Sequence, residues 1–364
     1  MAVAGGHDKG RDSMTEKPKR LVYFEEWVDP VAEAILAVEP DIDLRRLRYA
    51  DPRSVNDAAL ARAHGYQVQA RTELQDPWFG DAALISRSPC LLAMSSTGAG
   101  YDYIETEACT AAGILVLHQS GSNLEAVAEH ALGMMLVLSK RMVIADKMLR
   151  RGDAVDRYAL QGNDILGKTV GIVGLGLIGR RLATLCGGLF GMRVLAYDPY
   201  LDSAEVSARG AEKTTLEALL AQSDFVSVHC PRNAETLNLF RAAEFERMKP
   251  TAYFINTARG GIHDEAALAQ ALVDKRLAGA GIDVFLKEPP PAEHPLLRFD
   301  NVIASPHTAG ITAEALRQMS AMAAQQWIDV LAGKVPSRLV NPEVWPLYAG
   351  RFEQLMGHPP DPLP

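Results

Sequence analysis

The stretch that decides the fold runs from Lys168 to Tyr200 and reads KTVGIVGLGLIGRRLATLCGGLFGMRVLAYDPY. Its apolar run at 170–173 predicts a short buried strand, and the glycine-rich turn 174–179 follows directly. Helical periodicity continues over 180–190, and a second apolar run predicts another strand over 193–197. This order of strand, tight turn, helix and strand predicts a βαβ unit of a parallel sheet.

The glycine spacing in this turn favours binding of a dinucleotide. Gly174 permits the tight turn off the strand, and Gly176 lets a pyrophosphate approach the backbone. Gly179 lets the helix pack closely on the sheet. The start of the helix offers free N–H groups and a positive dipole end to phosphates, so Leu177 and Ile178 are further predicted cofactor contacts.

An acidic residue stands where the second strand ends. Asp198 lies about 20 residues past the last glycine, where a carboxylate can hydrogen-bond the adenosine ribose hydroxyls. Pro199 and Tyr200 follow it, so neither adjoining residue is an Arg or Lys that could receive a 2′-phosphate. The pattern therefore predicts NAD rather than NADP.

Composition excludes several classes of protein. The formal net charge of −8 argues against a nucleic-acid surface. No apolar run reaches the roughly 18 residues that span a bilayer, and the N-terminus lacks a signal-peptide core. The four cysteines form no CxxC pair, and no His or Cys spacing is typical of metal ligands. We therefore expect a cytoplasmic protein with no metal, no membrane and no nucleic-acid partner.

Strand and helix patterns alternate along the chain and predict two domains, since a domain usually spans ~100–200 residues. Residues 1–19 are polar and without periodicity, which predicts a disordered tail. One long helix is predicted over 124–151. Apolar runs before that helix predict strands of one sheet, at 21–24, 42–47, 82–86, 91–95 and 114–117. The expected fold class is α/β, with two Rossmann-like or flavodoxin-like domains, parallel sheets and a cleft between the domains.

Three polar residues follow predicted strands of the second domain. Arg259 comes after the strand ending at Asn256, Glu288 after the strand over 279–284, and His307 after the strand ending at Ala304. Open α/β sheets bind their ligands at the carboxyl ends of the strands. Their common position predicts an active site beside a bound nicotinamide.

These motifs resemble those of the D-isomer-specific 2-hydroxyacid dehydrogenase family, from about residue 80 to residue 315. The matching stretches are TGAGYD at 97–102, AEH at 128–130, GLGLIG at 174–179, HCP at 229–231 with Thr236, NTARGG at 256–261, DVFLKEP at 283–289 and SPHTAG at 305–310.

The resemblance implies the role of each catalytic residue. His307 is the expected acid/base, which protonates the carbonyl oxygen of a 2-keto acid as NADH reduces the carbonyl carbon. Glu288 is its expected carboxylate partner, whose charge stabilises the imidazolium. Arg259 is expected to grip the substrate carboxylate with its planar fork and to polarise the adjacent carbonyl. The backbone N–H groups of Ala99 and Gly100 are expected to bind the same carboxylate.

The resemblance also implies further cofactor contacts and a domain plan. The expected contacts are Pro231, Thr236, Thr257, Ala258, Asp283 and Gly310. The implied NAD-binding Rossmann domain is 123–312, and the implied substrate domain joins 20–122 to 313–364. Members are usually homodimers joined through the coenzyme domain and the long helix. Only a short tail follows Pro342, so we expect no regulatory domain.

The substrate is left open between 3-phosphoglycerate, glyoxylate and hydroxypyruvate. Arg87 resembles an arginine that helps phosphoglycerate dehydrogenases bind their anionic substrate, whereas Ser96 stands where those enzymes often carry another arginine. Two alternatives are kept. A corepressor-like protein of the same fold would bind NADH and partner peptides. A formate dehydrogenase-type relative is disfavoured, because that subgroup carries Gln where this chain has Glu288.

Overall fold

The computed structural model describes residues 18–70, 73–154 and 156–363. The predicted disordered tail lies outside the described residues except for residues 18 and 19, and Lys19 already begins a strand. The described chain divides into two compact units. The first contains the residues up to Gln119 and those from Met319 onward, and the second is Ser120–Gln318. The divisions fall a few residues from the predicted positions at 122/123 and 312/313.

The first unit holds a five-stranded parallel sheet in the order β2-β1-β3-β4-β5. Its strands are β1 Lys19–Phe24, β2 Ile42–Leu47, β3 Gly65–Val68, β4 Ala93–Ser96 and β5 Leu115–Leu117. The helices between them are α1 Val31–Leu36, α2 Arg53–Leu60, α3 Ala82–Ser86 and α4 Thr106–Ala111.

The second unit holds a seven-stranded parallel sheet in the order β12-β11-β10-β9-β6-β7-β8. Its strands are β6 Thr169–Val173, β7 Arg193–Tyr197, β8 Glu212–Lys213, β9 Phe225–Val228, β10 Tyr253–Asn256, β11 Gly279–Ile282 and β12 Val302–Ala304. The helices are α5 Leu124–Ser139, α6 Met142–Arg151, α7 Leu177–Phe190, α8 Ser203–Ala208, α9 Leu216–Gln222, α10 Ala242–Arg247 and α11 Glu265–Val273, with a 3-10 turn at Pro295–Arg298.

The C-terminal part of the chain adds two helices, α12 Ala313–Leu331 and α13 Trp345–Met356, with a 3-10 turn at Pro342–Val344. Aromatic side chains of these helices are fully buried in the core of the first unit, among them Trp327, Tyr348 and Phe352. No helix in the described ranges is both long enough and apolar enough to cross a membrane.

The strand order places a topological switch point beside the glycine-rich turn. Strand β6 pairs with β7 on one side and with β9 on the other, so the chain leaves β6 in one direction and returns on its opposite flank. Ligands of open α/β sheets bind outside the carboxyl ends of the strands at such a point. The glycine-rich turn 174–179 begins at this point, directly after β6.

The strand predicted over 82–86 is wrong, because these residues form helix α3. The Asp81 carboxylate accepts a hydrogen bond from Leu84 N at 2.8 Å, which caps the helix start. Only Leu84 of the helix is buried. The periodicity of a five-residue apolar run does not distinguish a strand from a helix. The hydrogen bond from Leu84 N to Asp81 favours the helix.

The single long helix predicted over 124–151 is also wrong. The structure has two helices, α5 and α6, separated at Arg141, whose φ is +54°. The loop at Asn163 binds the last turn of α5: Asn163 N donates to Ser139 O, and Ser139 Oγ donates to Asn163 O, both at 2.8 Å. These contacts come from residues distant in sequence, so periodicity did not reveal the break.

Strand β3 and helix α13 were not predicted. In β3, a Cβ at Gly65 would lie 2.5 Å from the indole of Trp327. The aromatic ring therefore packs directly on the strand backbone and requires glycine there. Gln67 of β3 accepts a hydrogen bond from Trp327 Nε1 at 2.8 Å. Tertiary packing therefore stabilises a short strand that begins with glycine, a residue depleted in strands.

Candidate active site

The turn after β6 has the geometry that its glycines predict. Gly174 has φ +91°, and a Cβ there would lie 2.7 Å from Cys230 N, so a side chain is excluded both by conformation and by space. A Cβ at Gly179 would lie 2.2 Å from Gly174 O, so the first turn of α7 packs directly on the glycine turn.

Gly176 differs from its two neighbours in the motif, because a Cβ there would meet no atom within 4 Å. It is the N-cap of α7, and Leu177 and Ile178 form the first turn of this 14-residue helix. The free N–H groups of a helix start favour an anion, and the open space lets a phosphate approach them. The backbone here therefore fits a dinucleotide pyrophosphate.

Asp198 follows β7 and is fixed by two backbone groups. Leu175 N donates to its Oδ2 at 3.0 Å, and Tyr200 N donates to its Oδ1 at 3.1 Å. Each carboxylate oxygen can accept a second hydrogen bond, so both remain available to ribose hydroxyls. Sequence reasoning missed Arg209, whose Nη1 donates to Leu175 O at 2.8 Å. Arg209 does not adjoin Asp198 in the sequence, and only the fold brings it to the turn from the end of α8.

The loop after β9 contains the predicted contacts Pro231 and Thr236, which touch each other. Thr236 Oγ1 donates to Pro231 O at 2.6 Å. Before them, His229 lies 2.8 Å from Ser227 Oγ through its Nε2, and burial lowers its pKa to about 4. The imidazole is therefore neutral near neutral pH. Burial also raises the pKa of the Cys230 thiol to about 11.

The loop after β10 is held by a fully buried asparagine. Asn256 Oδ1 accepts from Ala258 N at 2.9 Å, and its Nδ2 donates to Arg259 O at 3.1 Å. Arg259 Nη1 donates to Ala258 O at 2.7 Å. Thr257 Oγ1 is buried and has no hydrogen-bond partner among the described residues. A buried polar atom of this kind is usually satisfied, so Thr257 fits a contact to a bound ligand.

His307 and Glu288 form a direct pair. His307 Nδ1 lies 2.8 Å from Glu288 Oε2, and Glu288 Oε1 accepts from Phe285 N at 3.0 Å. Burial raises the pKa of Glu288, but the hydrogen bond and charge of His307, the Phe285 N–H and the charge of Arg259 outweigh it and leave the pKa below its usual value. Glu288 is therefore ionised near neutral pH, and it holds the imidazole by Nδ1 and leaves Nε2 for a substrate.

These three residues come from consecutive strands of one sheet. The last residues of β10, β11 and β12 are in register, Asn256 with Ile282 and Ile282 with Ala304. The loops bearing Arg259, Glu288 and His307 therefore leave the same edge of the sheet. The structure brings together here the three side chains that the sequence predicted to be catalytic.

Asp283 is fully buried, and its carboxylate accepts three hydrogen bonds from the segment around His307. The donors are Ser305 Oγ at 2.6 Å, Thr308 N at 2.8 Å and Ala309 N at 3.0 Å. His307 N also donates to the Asp283 carbonyl at 2.7 Å. Asp283 was predicted to contact the cofactor; in this structure most of its acceptor capacity fixes the His307 loop.

Two residues near this loop were not recognised from the sequence. A Cβ at Gly310 would lie 2.7 Å from Asn123 Nδ2, and Asn123 Oδ1 is buried without a hydrogen-bond partner in the described part of the chain. His130 was interpreted as structural, yet its Nε2 lies 3.1 Å from Ser305 Oγ. Asn123 directly precedes α5 and His130 lies in its second turn, and only folding brings that helix beside the 305–310 loop.

The predicted substrate residues Ala99 and Gly100 lie on the loop after β4 in the first unit. Ser96 Oγ donates to Gly98 O at 2.7 Å, and Gln119 N donates to the same carbonyl at 2.9 Å. Within the described ranges, the N–H groups of Ala99 and Gly100 donate to no other residue. The loop is therefore braced while two of its donors remain available to an anion.

Arg87 has partners inside the first unit. Its Nε lies 3.1 Å from Asp57 Oδ1, its Nη2 donates to Pro77 O, and its guanidinium lies 5.5 Å from the centre of the Trp78 ring. The Nε contact is an ion pair without good hydrogen-bond alignment. The predicted substrate role of Arg87 is thus in competition with these contacts.

No group of three or more His, Cys, Asp or Glu residues among those described could hold a metal ion.

The second unit therefore has the fold and the open glycine turn of a dinucleotide-binding α/β protein, with a His–Glu pair beside it. Residues 132–309 match the family model described as "D-isomer specific 2-hydroxyacid dehydrogenase, NAD binding domain". A glyoxylate reductase of Thermofilum pendens is 41% identical over 268 residues, which is 72% of this chain and 79% of that protein. A D-3-phosphoglycerate dehydrogenase of Archaeoglobus fulgidus is 37% identical over 261 residues, 72% of this chain but 49% of that protein.

Solved structures show the same fold. A glyoxylate reductase from Paecilomyes thermophila superimposes with a TM-score of 0.79 at 25% identity, covering 90% of this chain and 99% of that one. A D-lactate dehydrogenase from Aquifex aeolicus, complexed with NAD and lactic acid, gives a TM-score of 0.74 at 26% identity, covering 88% of this chain and 98% of that one.

The chain belongs to the D-isomer-specific 2-hydroxyacid dehydrogenase family. It is an oxidoreductase, and its cofactor is NAD. The predicted family, α/β fold class, enzymatic nature and cofactor are confirmed. The corepressor-like alternative is not favoured, because the matching proteins are named as reductases and dehydrogenases.

Gly176→Val should weaken NADH binding several-fold without unfolding the protein, because the added side chain would occupy the open space at the helix start. Gly188→Ala is the matched control, since Gly188 lies in the same helix and a Cβ there also meets no atom within 4 Å. Titration of NADH fluorescence with each variant checks this. Equal dissociation constants for both variants would show that Gly176 does not face the cofactor.

Proposed function

We propose that this enzyme interconverts a small, unphosphorylated 2-keto acid, of the glyoxylate or hydroxypyruvate type, and the corresponding D-2-hydroxy acid. The observation that carries the proposal is the His307–Glu288 pair at 2.8 Å, on the same sheet edge as Arg259. Reduction of a 2-keto acid requires a proton donor, a carboxylate that stabilises the protonated form of that donor, and an arginine. The names of the glyoxylate reductases that the chain resembles support the substrate class.

The residues divide the work of one reaction. Bound NADH supplies a hydride to the carbonyl carbon of the keto acid. His307 gives its Nε2 proton to the carbonyl oxygen, and ionised Glu288 at Nδ1 stabilises the imidazolium before that transfer and orients the ring. Arg259 polarises the carbonyl and binds the carboxylate. In the oxidising direction His307 takes the hydroxyl proton back, so one side chain serves both directions.

The first unit is proposed to form the substrate domain, for which the sequence predicts residues 20–122 and 313–364. The available N–H groups of Ala99 and Gly100 support a role in binding the substrate carboxylate. The partners of Arg87 argue for a substrate without a phosphate: to bind a phosphate, the guanidinium would have to give up its ion pair with Asp57 and its hydrogen bond to Pro77 O. Phosphohydroxypyruvate is therefore the second candidate. The chain also spans only about half the length of the D-3-phosphoglycerate dehydrogenases that it matches.

A homodimer is proposed from the surface of helix α6. None of its residues is buried in the single chain, and large apolar side chains are exposed on it and after it, with Met142 at 51%, Leu149 at 70% and Tyr158 at 83%. Such a group of apolar side chains favours an interface with a second copy.

The predicted cytoplasmic location stays a prediction, which cell fractionation would check.

A panel of 2-keto acids with NADH should give the highest kcat/KM for glyoxylate or hydroxypyruvate, with phosphohydroxypyruvate well below them. The measurement is the loss of NADH absorbance, with NADPH run in parallel. Arg87→Lys is the diagnostic variant, because it should lower thermal stability without selectively lowering turnover of the phosphorylated acid. Preference for phosphohydroxypyruvate, lost in Arg87→Lys, would contradict the proposed substrate class.

His307→Asn should lower kcat by ~10²–10⁴-fold while NADH binding changes little, because the variant retains a polar group but loses the acid/base. His294→Asn is the matched control: His294 also pairs with a carboxylate, Glu265 Oε2 at 3.1 Å, but is assigned no step. Steady-state kinetics and NADH fluorescence separate turnover from binding. Wild-type kcat in His307→Asn would rule out the mechanism.

Leu149→Glu combined with Met142→Glu should convert a dimer into a monomer, because two charges would be buried at the interface. Val38→Glu is the control, since Val38 is 75% exposed and belongs to the first unit, whereas α6 belongs to the second. Light scattering coupled to size-exclusion chromatography gives the mass. A monomeric wild type, or a double variant that stays dimeric, would exclude α6 as the interface.

A further inference from the structure

A histidine outside the proposed chemistry lies directly behind the catalytic loop. His130, on helix α5, has its Nε2 at 3.1 Å from Ser305 Oγ and at 3.9 Å from Asp283 Oδ1. Ser305 lies two residues before His307, and Asp283 accepts hydrogen bonds from the residues on either side of it. None of these three side chains takes part in a step of the proposed mechanism.

The distances fix the direction of the hydrogen bonds in this cluster. Ser305 Oγ lies 2.6 Å from Asp283 Oδ1, a separation typical of a hydroxyl that donates to a carboxylate. A serine hydroxyl has one proton, so it has none left for His130. His130 Nε2 must therefore carry the hydrogen and donate it to Ser305 Oγ. The result is a chain of donors that runs from His130 through Ser305 to Asp283.

The end of this chain is a fully buried carboxylate that depends on its donors. Asp283 is 0% exposed, and its carboxylate accepts hydrogen bonds from Ser305 and, among the other described residues, from the N–H groups of Thr308 and Ala309 alone. Loss or rotation of the serine hydroxyl would leave one acceptor position of a buried charge unfilled, which is costly. The position of the Asp283 carboxylate would then be less firmly fixed, and with it the segment whose N–H groups it binds.

His307 is sensitive to this segment because its backbone is unfavourable. Its φ is +56°, a left-handed conformation that is uncommon for a residue other than glycine and that neighbouring contacts help to maintain. Its own N–H donates to Asp283 O at 2.7 Å, so both the carbonyl and the carboxylate of Asp283 hold the turn. The imidazole position that Glu288 meets at 2.8 Å therefore depends on Asp283.

We propose that His130 is a positioning residue for His307, which acts as an N–H donor through Ser305 and Asp283. The inference rests on the proposed role of His307 as acid/base. His130 does not touch substrate or cofactor. Its contribution is to fix the rotamer of Ser305, so that the hydroxyl proton points at Asp283 and the left-handed turn at His307 keeps its position.

Two amide substitutions test the donor. In His130→Gln the side-chain N–H reaches the region of the imidazole Nε2, whereas in His130→Asn the shorter amide ends near Nδ1 and does not reach Ser305. We expect the Gln variant to keep kcat near the wild-type value and the Asn variant to lose on the order of 10- to 10²-fold, the size of a small misplacement at a reacting centre. Dissociation constants for NADH and melting temperatures should be alike in the two variants.

Equal kcat in the Gln and Asn variants, whether both normal or both reduced, would overturn the proposal. A second measurement needs no folded variant: nitrogen NMR of the wild-type enzyme with labelled histidine should show His130 with a hydrogen on Nε2, and a neutral tautomer with the hydrogen on Nδ1 alone would overturn it. His307→Asn separates this inference from the proposed function. If that variant keeps full turnover, the mechanism fails, whereas if it loses turnover and His130→Asn does not, only the role of His130 fails.

Discussion

The buried carboxylate of Asp283 is the constraint on which the proposed active site depends. An ionised carboxylate without water must be matched by donors, and here those donors belong to the segment that carries His307. Satisfying the charge and placing the acid/base are therefore one event. Glu288 completes the arrangement from the same strand connection, because it follows β11 as Asp283 does. The protein's own hydrogen bonds thus fix the geometry of the His307–Glu288 pair.

The cofactor end depends on a different constraint, the absence of side chains. At Gly174 and Gly179, neighbouring backbone occupies the space that a side chain would need, whereas Gly176 faces open space at the start of α7. One motif therefore combines two requirements for close packing with one for ligand access. Asp198 accepts from the backbone N–H of Leu175 and Arg209 donates to its carbonyl, so the two side chains fix the turn together. The NAD-binding character of the second unit follows from this backbone geometry.

Much of the site could be predicted because its residues occupy fixed distances from strand ends. The glycines, Asp198, Arg259, Glu288 and His307 all belong to short motifs whose strands were recognisable, and in-register parallel strands then bring the motifs to one edge. The positions of His130, Asn123 and Arg209 could not be predicted, because each lies in or beside a helix that only folding brings to these loops. Helix α3 and the break after α5 were predicted wrongly, because the hydrogen bonds at Asp81 and Asn163 leave no trace in apolar periodicity.

The sequence by itself determined the two-unit α/β plan, the family, the cofactor and the identity of the side chains proposed for catalysis. These follow from local spacing, since a βαβ unit brings its own turn, helix start and acidic residue into register over a short stretch of chain. Only the tertiary structure decided which polar groups are consumed internally and which remain available. Asp283 uses most of its oxygens to hold a loop and Arg87 is paired with Asp57, while Gly176 and Thr257 present unfilled space or an unsatisfied atom. The physical reason is that hydrogen-bond capacity is finite, and its allocation depends on neighbours far away in the chain.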